Sequence, residues 1–316
     1  MCWFVVSHMI GVGFPSIAKR IQNMMKPTSV TEIDYSRKWY VMAAVAMSIF
    51  LATIDGSIVN IALPTLVRDL NTSFATVQWV VLAYLLTLTT LMLSIGRLAD
   101  LRGKKPIYVA GFVVFTIGSV LCALAPTVYW LIGFRILQAV GGAMVLALGA
   151  AIVTEAFPPQ ERGKALGTIG SMVSLGVVAG PLMGGLILSS LSWHWIFLVN
   201  LPVGVVGTIL AQRFVPAIRP PGGERFDYAG AAMLLISLMA LLLGLTVGQE
   251  AGFLSPLVLA FFAVWLITLA VFIRIELRVP SPMIDLRLFQ NRLFSVNLST
   301  GFLTFVAISG MFMLMP

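Results

Sequence analysis

Residues 77–95 and 107–125 carry no charged side chain, and the glycine- and charge-rich segment 96–105 (GRLADLRGKK) joins them. Two uncharged runs of this length in tandem leave the chain few options. A helix needs about 20 apolar residues to cross a hydrocarbon core about 30 Å thick. With no water inside that core, only helices and closed barrels satisfy the backbone. Barrel strands would alternate over roughly 10 residues, whereas these runs are long, continuous and rich in Leu, Met and Ala. Nine such runs are read along the chain: 39–63, 77–98, 107–125, 128–153, 165–190, 195–214, 229–248, 253–273 and 295–315. Only 10% of the 316 residues are charged, where soluble domains carry roughly 25%. The expected fold class is an all-α membrane protein.

The basic residues give the orientation. Eighteen of the 20 Lys and Arg fall in the N-terminal segment or in the connections after spans 2, 4, 6 and 8. The opposite side holds only Arg68, and Arg135 lies inside span 4. Short basic connections stay on the cytoplasmic side, so the expectation is a multi-pass protein of the cytoplasmic membrane with its N-terminus in the cytoplasm. A missed or invented span would scramble this alternation. The net charge of +8 builds no continuous basic face, so nucleic acid is not an expected partner; the lipid bilayer is. Cys2 and Cys122 sit in apolar surroundings and support neither a disulfide framework nor a metal site. Acidic residues and the two histidines are too scattered for a hydrolytic centre. No metal, no cofactor and no enzymatic activity are expected, and the sequence sets no oligomeric state. Residues 1–38 read as a cytoplasmic N-terminal segment. Its first 18 residues are apolar but broken by His8, Gly11, Gly13 and Pro15, with no positive n-region, which makes a poor signal peptide. An interfacial helix and a weak extra span are open readings; the favoured one is an upstream extension over residues 1–23, with the usual start at Met24 or Met25.

Polar groups inside spans are the candidates for chemistry. Asp55 lies about 24 Å along span 1 from Trp39 and about 12 Å from its outer end. Span 4 runs the opposite way, and Arg135 lies about 10 Å inside its outer end. Acid and base thus share a depth to within about one helical turn, and pairing across the bundle is geometrically open. A buried carboxylate is costly unless paired, hydrated or protonated, and such residues mark substrate or ion pathways. Asp55 is suited to take up a proton or to meet a cationic substrate, with Arg135 beside it; a static ion pair tying spans 1 and 4 together is the plainer alternative. Asn60 and Gln138 are supporting polar groups, expected to bond between helices. Gly176, Gly180 and Gly184 recur every fourth residue in span 5, so a neighbouring helix can approach closely, and Pro181 removes a backbone donor. There is no Gly-x-x-x-x-Gly-Lys-Ser/Thr loop for ATP, so energy is expected from an ion gradient. Trp193, His194 and Trp195 read as an interfacial belt, and the segment 280–292 as an amphipathic connector on the membrane surface, with Ile284, Leu286, Leu288 and Phe289 toward the lipid.

The segment 96–105 resembles the loop between the second and third spans of the major facilitator superfamily. Further segments resemble its fourteen-span drug:proton antiporter branch. They are TIDGSIVNIALP (53–64), QWVVLAYLL (78–86), RILQAVGGA in span 4, the run Gly176 to Gly185 in span 5, and WHWIFLVNLPVG (193–204). Leu101 stands where a basic residue is usual, Ala139 where the first glycine of the span-4 pattern is expected, and His194 where Arg is usual. The resemblance implies an N-terminal six-helix bundle over 39–214, a linker over 215–228, two inserted helices over 229–273, a connector over 274–294, and over 295–316 the first helix of an incomplete C-terminal bundle. The chain then reads as a C-terminally truncated product. The resemblance further implies a proton-coupled antiporter exporting small lipophilic, often cationic substrates bound near the midplane. Asp55 and Arg135 would serve coupling. Gly96, Asp100, Arg102, Gly103 and Lys104 would serve a gating loop, with an Asp100–Arg102 ion pair as latch. Gly176, Gly180, Pro181, Gly184 and Gly185 would seal one face against leak. Two other readings stand beside it: a truncated, non-transporting membrane protein, and a dedicated exporter of a metabolite or antibiotic.

Overall fold

The structure is a computed structural model that describes residues 35–218 and 225–314. The expectations for residues 1–34, including the upstream extension, lie outside the described residues. The described residues are helical, without strands. After a 3₁₀ turn (Tyr35–Arg37) come α1 (Lys38–Asp69), α2 (Phe74–Arg102), α3 (Lys104–Ala123), α4 (Val128–Ala156) and α5 (Arg162–Ser190). There follow α6 (Trp195–Phe214), interrupted at Val199, then α7 (Tyr228–Ala251), α8 (Pro256–Glu276) and α9 (Arg292–Leu314). The first eight are long and apolar enough to cross a membrane. The ninth apolar run forms α9.

Local chemistry explains several ends. Ser73 accepts from the Thr76 N–H and caps α2. Asp227 accepts from the Gly230 N–H at 2.8 Å and caps α7, and Ser255 caps α8 with Pro256 at its first position. Such side-chain acceptors satisfy amide donors that a helix start leaves open. Other ends run past the apolar runs: α1 continues to Asp69, because intrahelical hydrogen bonding does not stop where the hydrocarbon does.

The segment 96–105 is not the loop the sequence suggests. Helix α2 continues through Arg102 and α3 begins at Lys104, so Gly103 alone makes the turn. Its φ of 95° and ψ of 140° lie where a side chain is strained by about 1–3 kcal/mol. Gly103→Ala is therefore expected to destabilise the chain by about 1–3 kcal/mol, measured by thermal unfolding in detergent; an unchanged midpoint would mean that the turn relaxes at no cost.

Helices α1 to α6 pack together. The main pairings are α3 with α4, α1 with α5, α2 with α4, and α3 and α1 with α6. Two apolar clusters fill the interior. One, around Val45, Tyr108, Phe112, Val153 and Phe157, lies toward the Gly103 end. The other, around Ile58, Leu66, Val77, Leu131 and Phe197, lies toward the opposite end. Asp55 falls between them along α1. Helices α7 and α8 pack on one another, and α7 also on α2. The connector before α9 holds a short 3₁₀ turn, Leu286–Gln290. Trp193 turns inward, 3% exposed against Phe197, while Trp195 is exposed.

Candidate functional site

Five helices bring one polar group or more to the layer between the two apolar clusters. Asp55 comes from α1, Tyr84 and the Val80 carbonyl from α2, Ser119 from α3, Arg135 and Gln138 from α4, and Asn200 from α6. Asp55, Ser119, Arg135 and Gln138 are fully buried, and Asn200 is 1% exposed. Arg135 and Gln138 share a face because three residues turn a helix through roughly 300°. Gly118 makes room for them, since a Cβ there would lie 2.7 Å from Gln138 Cα.

The carboxylate accepts three hydrogen bonds. Asp55 Oδ2 accepts from Arg135 Nη1 at 2.5 Å. Asp55 Oδ1 accepts from Gln138 Nε2 at 2.9 Å and from Asn200 Nδ2 at 2.8 Å. Arg135 also donates from Nη1 to Gln138 Oε1 (2.7 Å) and from Nε to the Val80 carbonyl (3.1 Å). Its guanidinium carbon lies 4.0 Å from the centre of the Tyr84 ring, within cation–π reach. Gln138 Nε2 donates to Ser119 Oγ at 2.7 Å. Two isolated charges would be prohibitive here; paired and hydrogen-bonded, they are tolerable. Three buried polar atoms of the layer keep no partner: Arg135 Nη2, Tyr84 Oη and Asn200 Oδ1.

The structure thus joins Asp55, Arg135 and Gln138 and leaves Asn60 out. Asn60 is exposed and donates to the Gly56 carbonyl of its own helix at 3.1 Å, instead of bonding between helices. Five positions separate it from Asp55, roughly 140° around the helix, so the two cannot share a face. Asn200 and Ser119 are members that sequence reading missed. An amide in an apolar span was the signal that drew attention to Asn60 and Gln138, and Asn200 carries the same signal. A serine in a span is too common to stand out.

At the Gly103 end, Lys104 pairs with Glu155 of α4 at 2.6 Å and with Asp100 at 3.2 Å. The expected Asp100–Arg102 pair does not form. Helix α2 carries both residues, and positions i and i+2 point to different sides of a helix, whereas Asp100 and Lys104 are four apart. Lys38 pairs with Glu161 nearby at 2.6 Å. Gly96 has open space around it and lines a cleft of about 640 Å³ with Arg97, Asp100 and the connector residues Pro280 to Met283.

In α5 the glycines face α1. A Cβ on Gly176 would overlap the Thr53 hydroxyl and lie 2.8 Å from Thr53 Cβ. One on Gly180 would do the same to Ser57, and one on Gly184 would lie 3.0 Å from Ile58 Cγ1. The Ser57 hydroxyl donates across the seam to the Gly176 carbonyl at 3.2 Å. Pro181 and Gly185 are exposed on the other side of α5.

A helical bundle with a buried, hydrogen-bonded acid–base pair defines a multi-pass membrane protein built around a buried polar layer. The chain belongs to the Major Facilitator Superfamily, which matches residues 45–316; this is a family of transporters, not of enzymes. It is 38% identical over 262 residues to the riboflavin transporter RibZ of Clostridioides difficile, covering 83% of this chain and 56% of that protein. It is 33% identical over 282 residues to the multidrug transporter protein MdtP of Bacillus subtilis, covering 89% and 52%. The chain therefore spans about half the length of the curated relatives it matches. Among solved structures, the human organic anion transporter MFSD10 superposes with a TM-score of 0.52 at 16% identity, covering 67% of this chain and 56% of that one, a likeness of fold.

Proposed function

We propose that the chain serves the proton-coupled export of small lipophilic, often cationic compounds across the cytoplasmic membrane, with its N-terminus in the cytoplasm. The observation that carries this reading is the Asp55–Arg135 pair, fully buried in a polar layer between two apolar clusters. A group kept charged inside a membrane protein at such cost is a functional candidate by default. In this reading a proton from outside adds to Asp55 and loosens its hold on Arg135, and the proton leaves inward when substrate is taken up. The Lys104 pairs with Asp100 and Glu155 latch one end of the bundle, and the α5 glycines keep the seam with α1 closed to leak. The relative MdtP, named a multidrug transporter, supports drugs as substrates.

The experiment is efflux from vesicles containing the chain. With an imposed proton gradient, ethidium efflux is expected for the native sequence, and Asp55→Asn is expected to lower it to the level of empty vesicles. Undiminished gradient-driven efflux in Asp55→Asn would remove Asp55 from coupling. A second reading, a dedicated exporter of one metabolite, is favoured by the 38% identity to a riboflavin transporter. It predicts efflux of riboflavin that excess ethidium does not inhibit.

A further inference from the structure

Asn200 lies within span 6 and within the segment 193–204, yet the sequence reading gave it no role of its own. We propose that Asn200 is a positioning residue that reads the proton on Asp55, turning its side-chain amide over when the carboxylate becomes an acid. The inference rests on the proposed protonation of Asp55 and adds to it the residue that responds.

The orientation of the amide follows from its neighbour. An ionised carboxylate only accepts hydrogen bonds, so the group 2.8 Å from Asp55 Oδ1 must be the Asn200 NH₂. That choice leaves Asn200 Oδ1 buried with no partner, a costly position for an acceptor. When a proton from solvent adds to Asp55 Oδ1, one O–H bond forms and no other covalent bond changes. Two amide NH₂ groups, from Gln138 and Asn200, then face a hydroxyl that must donate. Either amide can meet it by presenting its oxygen.

Gln138 is not free to do so. Its Nε2 also donates to Ser119 Oγ at 2.7 Å, and its Oε1 accepts from Arg135 Nη1 at 2.7 Å. Turning it would set an NH₂ against the guanidinium, two donors facing each other, even though the Ser119 hydroxyl could turn to donate to the amide oxygen. Asn200 has no such ties beyond a long contact to Ser119 Oγ at 3.4 Å. Rotation about its last torsion, which is broad and roughly two-fold, brings Oδ1 to the acid proton, gives up that contact and moves the NH₂ into the buried place that Oδ1 held. The titratable groups that face Asp55 are Arg135 from α4, Tyr84 from α2, stacked on Arg135, and Cys122 from α3, 3.7 Å from Gln138 Oε1. The titratable residues of α5 and α6, Arg162, Lys164 and Arg213, sit in the first turn of α5 and the last turn of α6, so these helices face Asp55 with no charge of their own. Asn200 stands at the break of α6 beside Val199, so a change in its hydrogen bonding is passed to the start of the longer segment of that helix.

The test is infrared difference spectroscopy on the chain in lipid vesicles, titrated across pH, with ¹⁵N in the asparagine side-chain amides. A carboxylic-acid band absent from Asp55→Asn is expected to grow as pH falls. An isotope-sensitive asparagine band is expected to change with the same midpoint. Asn200→Leu is expected to lose the asparagine band and keep the carboxylic-acid band; if that variant does not insert, Asn200→Ser gives the same reading. An Asp55 band that titrates while no Asn200 band responds overturns this inference and leaves the proposed coupling standing. No Asp55 band at any pH overturns both.

Discussion

Arg135→Leu is expected to be among the most damaging single substitutions in the chain, costing about 3–5 kcal/mol of stability. Nothing else in the layer can replace the guanidinium. Asp55 would keep the two amide donors from Gln138 and Asn200, but its charge would lie uncompensated in a site with no exposed surface. The Val80 carbonyl and the Tyr84 ring face would lose their cation as well. Removing one partner of a buried pair costs far more than removing both, because the loss lies chiefly in the charge left behind. The double variant Asp55→Leu/Arg135→Leu is therefore expected to regain most of the stability. Equilibrium unfolding in mixed micelles measures both. A single variant as stable as the native sequence would mean that the pair is hydrated, and a double variant no better than the single would mean that packing, not charge, dominates.

The second large effect is at the α1–α5 seam. Gly180→Ala is expected to destabilise by about 1–3 kcal/mol, the usual cost of overpacking, because its methyl would overlap the Ser57 hydroxyl and lie 3.1 Å from the Ile58 backbone nitrogen. A backbone atom cannot swing aside as a flexible side chain can, so the helices must separate. Gly185→Ala, five residues on, is the internal control: nothing lies within 4 Å of its Cβ position, so no loss is expected, only the gain of up to about 1 kcal/mol that Ala brings to a helix interior. Both glycines belong to one motif, yet only one touches α1. Equal effects at the two positions would contradict the packing described.

Much of the architecture was legible in the sequence for one physical reason. A backbone inside lipid must satisfy itself, so every crossing is a long apolar helix, and basic residues punctuate alternate connections. Where helices stop was less legible. The charges at 97, 100 and 102 look like a loop, yet they ride on the last turns of α2, and only the unusual backbone of Gly103 breaks the helix. The polar layer was partly legible. Asp55, Arg135 and Gln138 stand out against apolar surroundings, and counting rise from the span ends put the acid and base at one depth. The helical face was harder, because a helix that is apolar all round carries no stripe to show which side is inward. Asn60 and Asn200 show the consequence: each is an amide in a span, and only the packing of α1 and α6 shows that the first stays with its own helix while the second meets Asp55.

The most direct measurement is of protons released when substrate binds. Purified chain in weakly buffered detergent, brought to a pH at which Asp55 carries its proton and titrated with tetraphenylphosphonium, is expected to release up to one proton per cation bound, the most that linkage at a single carboxylate allows. Asp55→Asn is expected to release none. Proton release from Asp55→Asn equal to that of the native sequence would contradict the assignment of Asp55 and Arg135 as the coupling centre.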